Sequence, residues 1–396
     1  MTRREVWATG LGQCVSWGVL YYAFGVLVVP VERELGVARW VVVGAFSVAL
    51  LVSAVASPPV GRLVDRGQGP FVVQAGGLAA AALLAVWALV PNVVLSYLIW
   101  AALGVCMAAV LYEPIFGMVG KAVADAGDRL RAIATITVFG GLASTVFLPL
   151  TGALVDGLGW RPAVGILAAL LAIATVAVHR LVFAGNAPSR PVAPSRQSLP
   201  SRQDVPSRPT FALRATAGKQ AALIAIFTVS SFAGAALATN LVPALVDRGL
   251  LPRAAAALGG VFGIMQLPGR LLFARRTGAI SPRALLATSV GLQVAGLLVL
   301  AASDSFAPIA GGVALFACGS GLATVARPYL VLVFYGQDRA GEMNGVFARP
   351  QQLARAAGPV AAAALAGVTG YGVVFGILAA LMVAVLVALS GRWRRK

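Results

Sequence analysis

Glu113, Arg327, Arg349 and Arg355 fall inside long apolar runs, where hydrocarbon would surround them. A charge at the centre of a spanning helix costs about 2.5–3.5 kcal/mol on insertion scales, so it is kept where a partner or a wet cavity receives it. Glu113 is followed by Pro114, and Arg327 by Pro328. Each proline removes an amide donor and opens the helix beside the charge. An acid and a base of this kind, facing one pathway, are expected to form an ion pair that closes one side and opens when the helices move. The segment Arg349-Pro350-Gln351-Gln352-Leu353-Ala354-Arg355 suggests a different chemistry. At 100° per residue Arg349, Gln352 and Arg355 share one face, with Gln351 one turn before Arg355, which makes a cationic stripe on an apolar helix. Arg349 can snorkel to the interface. Arg355 has no acid at similar depth except Glu113, which Arg327 engages, so its counter-charge is expected to arrive with a ligand. A guanidinium suits a carboxylate because it binds it bidentately.

Other chemistries find little support. His179 is the single histidine, and Cys14, Cys106 and Cys318 lie far apart in separate apolar runs, so no metal spacing or disulfide framework emerges. There is no phosphate-cradling glycine loop with a lysine and no nucleophile beside a usable base. The expectation is a protein that is not an enzyme and carries no cofactor.

The elements that must hold these charges are membrane spans. The chain has 396 residues, 59% hydrophobic and 11% charged, too few polar groups to cover a soluble globule of that size. Twelve apolar runs of spanning length are expected near 7–29, 40–61, 71–90, 94–120, 131–155, 161–183, 220–246, 254–274, 283–302, 307–335, 342–367 and 371–390. The first follows Met1-Thr2-Arg3-Arg4 and is read as a retained helix rather than a cleaved leader. A net charge of +18 would suggest nucleic acid in a soluble protein. Here only Arg33, Arg39, Arg161, Arg248 and Arg253 fall in loops on the side opposite the ends. The charge is therefore positive-inside bias, with both ends cytoplasmic and no nucleic-acid partner. Between the sixth and seventh runs Pro-Ser-Arg recurs at Pro188, Pro194, Pro200 and Pro206, the composition of a disordered cationic tether. The expected organisation is an N-terminal six-helix bundle (1–183), a linker (184–219) and a C-terminal six-helix bundle (220–396).

The two halves echo each other. Pro30, Glu34 and Gly36 recur as Pro243, Asp247 and Gly249, and Gly61-Arg62-Leu63 as Gly269-Arg270-Leu271. Glu113-Pro114 aligns with Arg327-Pro328, and Gly165 to Leu170 with Gly376 to Leu381. The order and nearly constant separation imply an all-α fold of twelve helices, two parallel repeats related by an axis along the membrane normal.

The stretch Gly61-Arg62-Leu63-Val64-Asp65-Arg66-Gly67-Gln68-Gly69-Pro70 resembles the signature loop between the second and third spans of the major facilitator superfamily. Gln68 stands where that signature has a glycine, and Gly69-Pro70 replace its basic pair. The resemblance implies that Gly61, Asp65 and Arg66 belong to a latch on the cytoplasmic side, the carboxylate resting on a neighbouring helix N-terminus. Tyr112-Glu113-Pro114 and Gly159-Trp160-Arg161 more loosely resemble the monocarboxylate and oxalate-formate carrier branch. The aspartate-arginine pair of the monocarboxylate carriers is missing from span 8, where Met265 and Gln266 stand. Drug–proton antiporters carry a glycine-proline motif in span 5, and Leu148 replaces the glycine before Pro149. The family fold further implies that spans 1, 4, 7 and 10 line a central cavity. That makes Tyr22, with Gln13, Ser16, Trp17 and Tyr21, and Asn240, with Thr228, Ser230 and Ser231, candidate substrate contacts. The implied function is secondary transport by alternating access, as a monomer in the cytoplasmic membrane. The substrate would be a small organic anion held by Arg355, Gln352, Gln351 and Arg327, with Glu113 able to carry a coupled proton. Drug or metabolite efflux is the alternative, and a non-transporting receptor a third reading.

Overall fold

The structure is a computed structural model that describes residues 1–90, 92–123, 125–183, 217–275 and 281–394. The Pro-Ser-Arg tether lies outside these residues. All regular structure among them is helical. Span 1 is α1 (Arg3–Trp17), a π-helical turn (Gly18–Tyr22) and α2 (Ala23–Leu35); spans 2 and 3 are α3 (Arg39–Leu63) and α4 (Gly69–Trp87). Span 4 is split into α5 (Val93–Val110) and α6 (Tyr112–Ala122), and span 5 into α7 (Ala126–Gly141) and α8 (Ala143–Leu158); span 6 is α9 (Trp160–Val178). In the second half come α10 (Ala217–Asp247), a span 8 split into α11 (Pro252–Ile264) and α12 (Gln266–Arg275), then α13 (Pro282–Ala302), α14 (Phe306–Thr369) and α15 (Tyr371–Arg394).

Nine helical stretches among the described residues are long and apolar enough to cross a membrane. Two helical stretches each hold a pair of spans. Arg39–Trp87 turns at Gly67, whose φ of 85° only glycine adopts freely. There Val60 and Val72, on either side of the turn, pack in one cluster. The 64 residues of α14 would extend for about 96 Å if straight, roughly three times the hydrocarbon thickness. Instead Arg327 reaches Gln351 at 3.1 Å, so α14 folds back and supplies spans 10 and 11.

The repeat is written in the backbone as well as in the sequence. Gly36 and Gly249 end spans 1 and 7 with φ of 62° and 84°, and Gly159 and Gly370 precede spans 6 and 12 with φ of 84° and 81°. Each half also has its own core. One contains Phe24, Phe46, Trp87, Trp100 and Leu167 with Ala363 as its one buried member from the second half. The other contains Leu237, Phe316, Phe347 and Phe375, joined from the first half by Val26 and Leu148. In lipid the apolar effect does not drive helices together, so close packing of small residues must. At the seam between the halves Gly152 of α8 faces Ala256 of α11, while Gly259 and Gly260 face Leu148 and Pro149.

Candidate functional site

Interrupted helices build the site. Pro114 has no amide hydrogen, so the carbonyl of Val110, one turn earlier, has no helical donor. Gln13 Nε2 donates to it instead, at 2.7 Å. The chain is extended at Leu111 (ψ −165°), and α6 restarts with Glu113 in its first turn. Opposite this break two more face each other: α7 and α8 join at Leu142, and α11 and α12 at Met265. A side chain at Gly263 would collide with Ser144 and Thr145, so glycine there lets the two kinked spans touch.

This contact carries Arg270 inward to the first half. Its Nη2 donates to Gln266 Oε1 at 2.9 Å, and its Nη1 reaches the carbonyl of Thr137 at 3.5 Å. The Tyr112 hydroxyl donates to the same carbonyl, at 3.4 Å. Arg270 Nε is buried without a hydrogen-bond partner. Arg327 Nη1 donates to Gln351 Oε1, which also accepts from Ser231 Oγ at 3.3 Å, while Gln351 Nε2 is anchored on the carbonyl of Phe347 at 2.8 Å. Gln351 is 4% exposed and thus positions Arg327. Arg355 is exposed and makes no hydrogen bond or ion pair among the described residues. It is near enough to Tyr21, Tyr22 and Arg327 to act on them electrostatically. Three guanidiniums, Arg270, Arg327 and Arg355, thus gather where no described carboxylate forms an ion pair with any of them.

The expected Glu113–Arg327 ion pair is not formed. The break at Leu111 turns Glu113 onto α3, where its Oε2 accepts from Ser57 Oγ at 2.7 Å, and its Oε1 accepts from Gln352 Nε2 at 3.3 Å. A link between the halves therefore exists at Glu113, with a neutral amide as partner. Tyr22 is half-buried, packs on the core of the second half and stands beside Gln266 and Arg270. Among the described residues, Asp65 makes its contact with a lysine rather than with a helix N-terminus. It pairs with Lys121 Nζ at 3.2 Å at the end of α6, both being largely exposed, and Lys121 also donates to the carbonyl of Val64. Arg66 is exposed in the same turn, and Gly61 has open space around it. Exposed pairs of this kind contribute about 0–1 kcal/mol.

Asn240 corrects the sequence reading most clearly. It is fully buried, donating to the carbonyls of Ala236 and Pro359 and accepting from the Tyr371 hydroxyl at 2.9 Å. With both amide hydrogens and the oxygen engaged, it joins α10, α14 and α15 and has no donor to offer a ligand. Asn240→Ala should lower thermal stability by about 1–3 kcal/mol, the cost of orphaned buried polar groups, while the KM for any cargo moves less than about twofold; a thermal melt and a transport titration read both. Arg270 is the residue sequence reasoning passed over. It lies within the eighth apolar run, and a cation inside a span was the available signal, but its match to the Gly61-Arg62-Leu63 loop placed it in a loop.

On the opposite face the halves are tied by charge. Arg39 Nη1 and Nη2 bind Asp247 Oδ2 and Oδ1 at 2.5 and 3.0 Å, and its Nε binds Glu32 at 2.7 Å. The guanidinium lies 5.9 Å from the centre of the Tyr371 ring.

The sequence matches the family described as Major Facilitator Superfamily over residues 9–348. A comparison with curated proteins gives no match. Among solved structures, a D323A mutant of the nucleoside transporter NupG superposes with a TM-score of 0.76 at 13% identity, covering 98% of both chains. NupG without that mutation gives 0.74 at 15%, over 99% of both. A bacterial homolog of the human lysosomal transporter Spinster, inward-facing and occupied, gives 0.69 at 14%, covering 97% of this chain and 94% of that one. At these identities the likeness concerns the fold.

Proposed function

Because the chain belongs to the major facilitator superfamily and is therefore read as a membrane transporter, we propose that it carries a small organic anion of the carboxylate type by alternating access. One observation carries the choice of anion: Arg270, Arg327 and Arg355 gather between the halves with no described carboxylate to neutralise them. An arginine left unpaired at membrane depth is costly, and a carboxylate cargo supplies the missing charge with bidentate geometry. Arg270 and Arg355 are the proposed receptors. Gln351 holds Arg327 in place, and Gln352 joins Glu113 to the site. Glu113, held among the described residues by the neutral donors Ser57 and Gln352, is the proposed proton carrier. Arg39 with Asp247 is the proposed gate on the outer side, since the basic loops assign the opposite face to the cytoplasm. The half-buried rings of spans 1 and 4 favour a second reading, efflux of a lipophilic solute.

The test is flux into proteoliposomes of a panel of carboxylates and of lipophilic cations, with and without a pH gradient. Carboxylate uptake that responds to the gradient is the expected result. Cation transport with indifference to carboxylates would replace this reading with efflux.

A further inference from the structure

Rings that only fill space in this protein are sealed: Phe24, Phe46, Trp87 and Trp100 pack against one another and are at most 2% exposed. A second set behaves differently. Trp17, Tyr21, Tyr22, Tyr112 and Phe116 lie well inside spans 1 and 4 and yet stay only half-buried. They form one continuous wall. Ring centres are 4.9 Å apart for Trp17–Tyr112, 5.4 Å for Trp17–Tyr21 and 5.2 Å for Tyr21–Tyr22, and Tyr112 stacks on Phe116 at 5.1 Å and 11°. Both backbone irregularities of these spans coincide with it: the π-helical turn Gly18–Tyr22 carries two of the rings, and the break at Leu111 immediately precedes a third. An extra residue in a helical turn recurs at functional sites because it re-aims side chains that a regular helix would spread around its axis.

The wall ends at the cations. Tyr112 and Arg270 share the carbonyl of Thr137, and Arg355 is close enough to Tyr21 and Tyr22 to act on them electrostatically. One donor on the wall is left over, since Trp17 Nε1 is buried with no hydrogen-bond partner. We propose that the wall recognises the body of the cargo, and that the cargo is an aromatic or heteroaromatic carboxylate. Its ring stacks on Trp17, Tyr21 and Tyr112, its carboxylate is held by Arg270 and Arg355, and a ring acceptor takes the Trp17 N–H. A short aliphatic acid meets the guanidiniums and leaves the wall unfilled. A neutral aromatic fills the wall and leaves the charges unanswered, and an aromatic cation is repelled. Offset or edge stacking adds selectivity beyond area burial, because ring quadrupoles align and a saturated ring has none.

This inference rests on the anion reading above, and its test separates the two. Binding of benzoate, cyclohexanecarboxylate, acetate, benzamide and tetraphenylphosphonium to the full-length protein in nanodiscs is measured by calorimetry. Benzoate is expected to bind about three- to tenfold tighter than cyclohexanecarboxylate and far tighter than acetate or benzamide. Tyr112→Leu and, as a milder change, Trp17→Leu should each collapse the benzoate-to-acetate ratio. If acetate or cyclohexanecarboxylate matches benzoate, the aromatic assignment falls and the anion reading stands. If benzamide or the phosphonium matches benzoate, or no carboxylate binds, the anion reading falls and takes the inference with it.

Discussion

Arg270→Ala removes at least about a hundredfold of kcat/KM for the anionic cargo while the protein still folds and inserts. A charge-assisted hydrogen bond contributes about 1.5–3 kcal/mol, and a guanidinium bound through two nitrogens loses two of them, which is the origin of the factor. Of the three gathered guanidiniums Arg270 bonds to both halves, through Thr137 of α7 and Gln266 of its own helix, and its Nε is still without a partner. Arg270→Lys should recover only part of the loss, because an ammonium keeps the charge and lacks the planar fork. Initial-rate uptake in proteoliposomes, with thermal melts of the same preparations, checks this. An alanine variant that transports anions at the wild-type rate would remove Arg270 from the site.

The second large effect is expected at the other face, and the repeat explains why. In the first half Glu34 is held by Trp160 Nε1 and by Arg161, which lies 4.6 Å from the centre of the Trp160 ring. In the second half Asp247 occupies the place of Glu34 and Tyr371 the place of Trp160, but Gly372 stands where Arg161 would be. Arg39 of the first half fills the vacancy, binding Asp247 through two nitrogens beside the Tyr371 ring. The same acid–arginine–aromatic arrangement is therefore internal in one half and shared between halves at its counterpart. A bond within a rigid bundle is kept throughout the cycle; a bond between bundles must break for that side to open.

Arg39→Ala should accordingly shift the equilibrium toward the form open on that face by up to about fivefold, or about 1 kcal/mol. That is an upper-range value for a bidentate pair with one partially exposed member. Spin labels at Ala38 and Leu251 would report it as a longer distance population. Arg161→Ala is the internal comparison, expected to lower the melting temperature without lengthening that distance. If Arg39→Ala leaves the distances unchanged, Arg39 and Asp247 are not a gate.

The fate of the candidate residues shows where local pattern ceases to be informative. Arg355 was legible because a charge in an apolar run is conspicuous whatever its neighbours are. Glu113 was equally conspicuous, but its partner was not, since the choice between Arg327 and the pair Ser57 with Gln352 depends on how far α6 is rotated by the break at Leu111. The family fold puts Asn240 on a cavity-lining span, whereas the carbonyls of Ala236 and Pro359 and the Tyr371 hydroxyl claim its whole amide. Gln13, by its span, is a candidate substrate contact like its polar neighbours. Its role, covering the carbonyl that Pro114 leaves without a donor, needs both helices in place to be seen.

What the sequence alone determined is what depends on composition over one span or on a single backbone preference. The apolar runs specify helices, because in hydrocarbon a helix satisfies its own backbone. The glycines at Gly36, Gly159, Gly249 and Gly370 specify the turns, because positive φ is costly for other residues. The echo between these positions specifies the duplication. The tertiary structure decided which charges meet, which stay unpaired and which rings form a wall. Those outcomes depend on interrupted helices that rotate side chains by fractions of a turn, and on groups from opposite halves whose distance no spacing along the chain records.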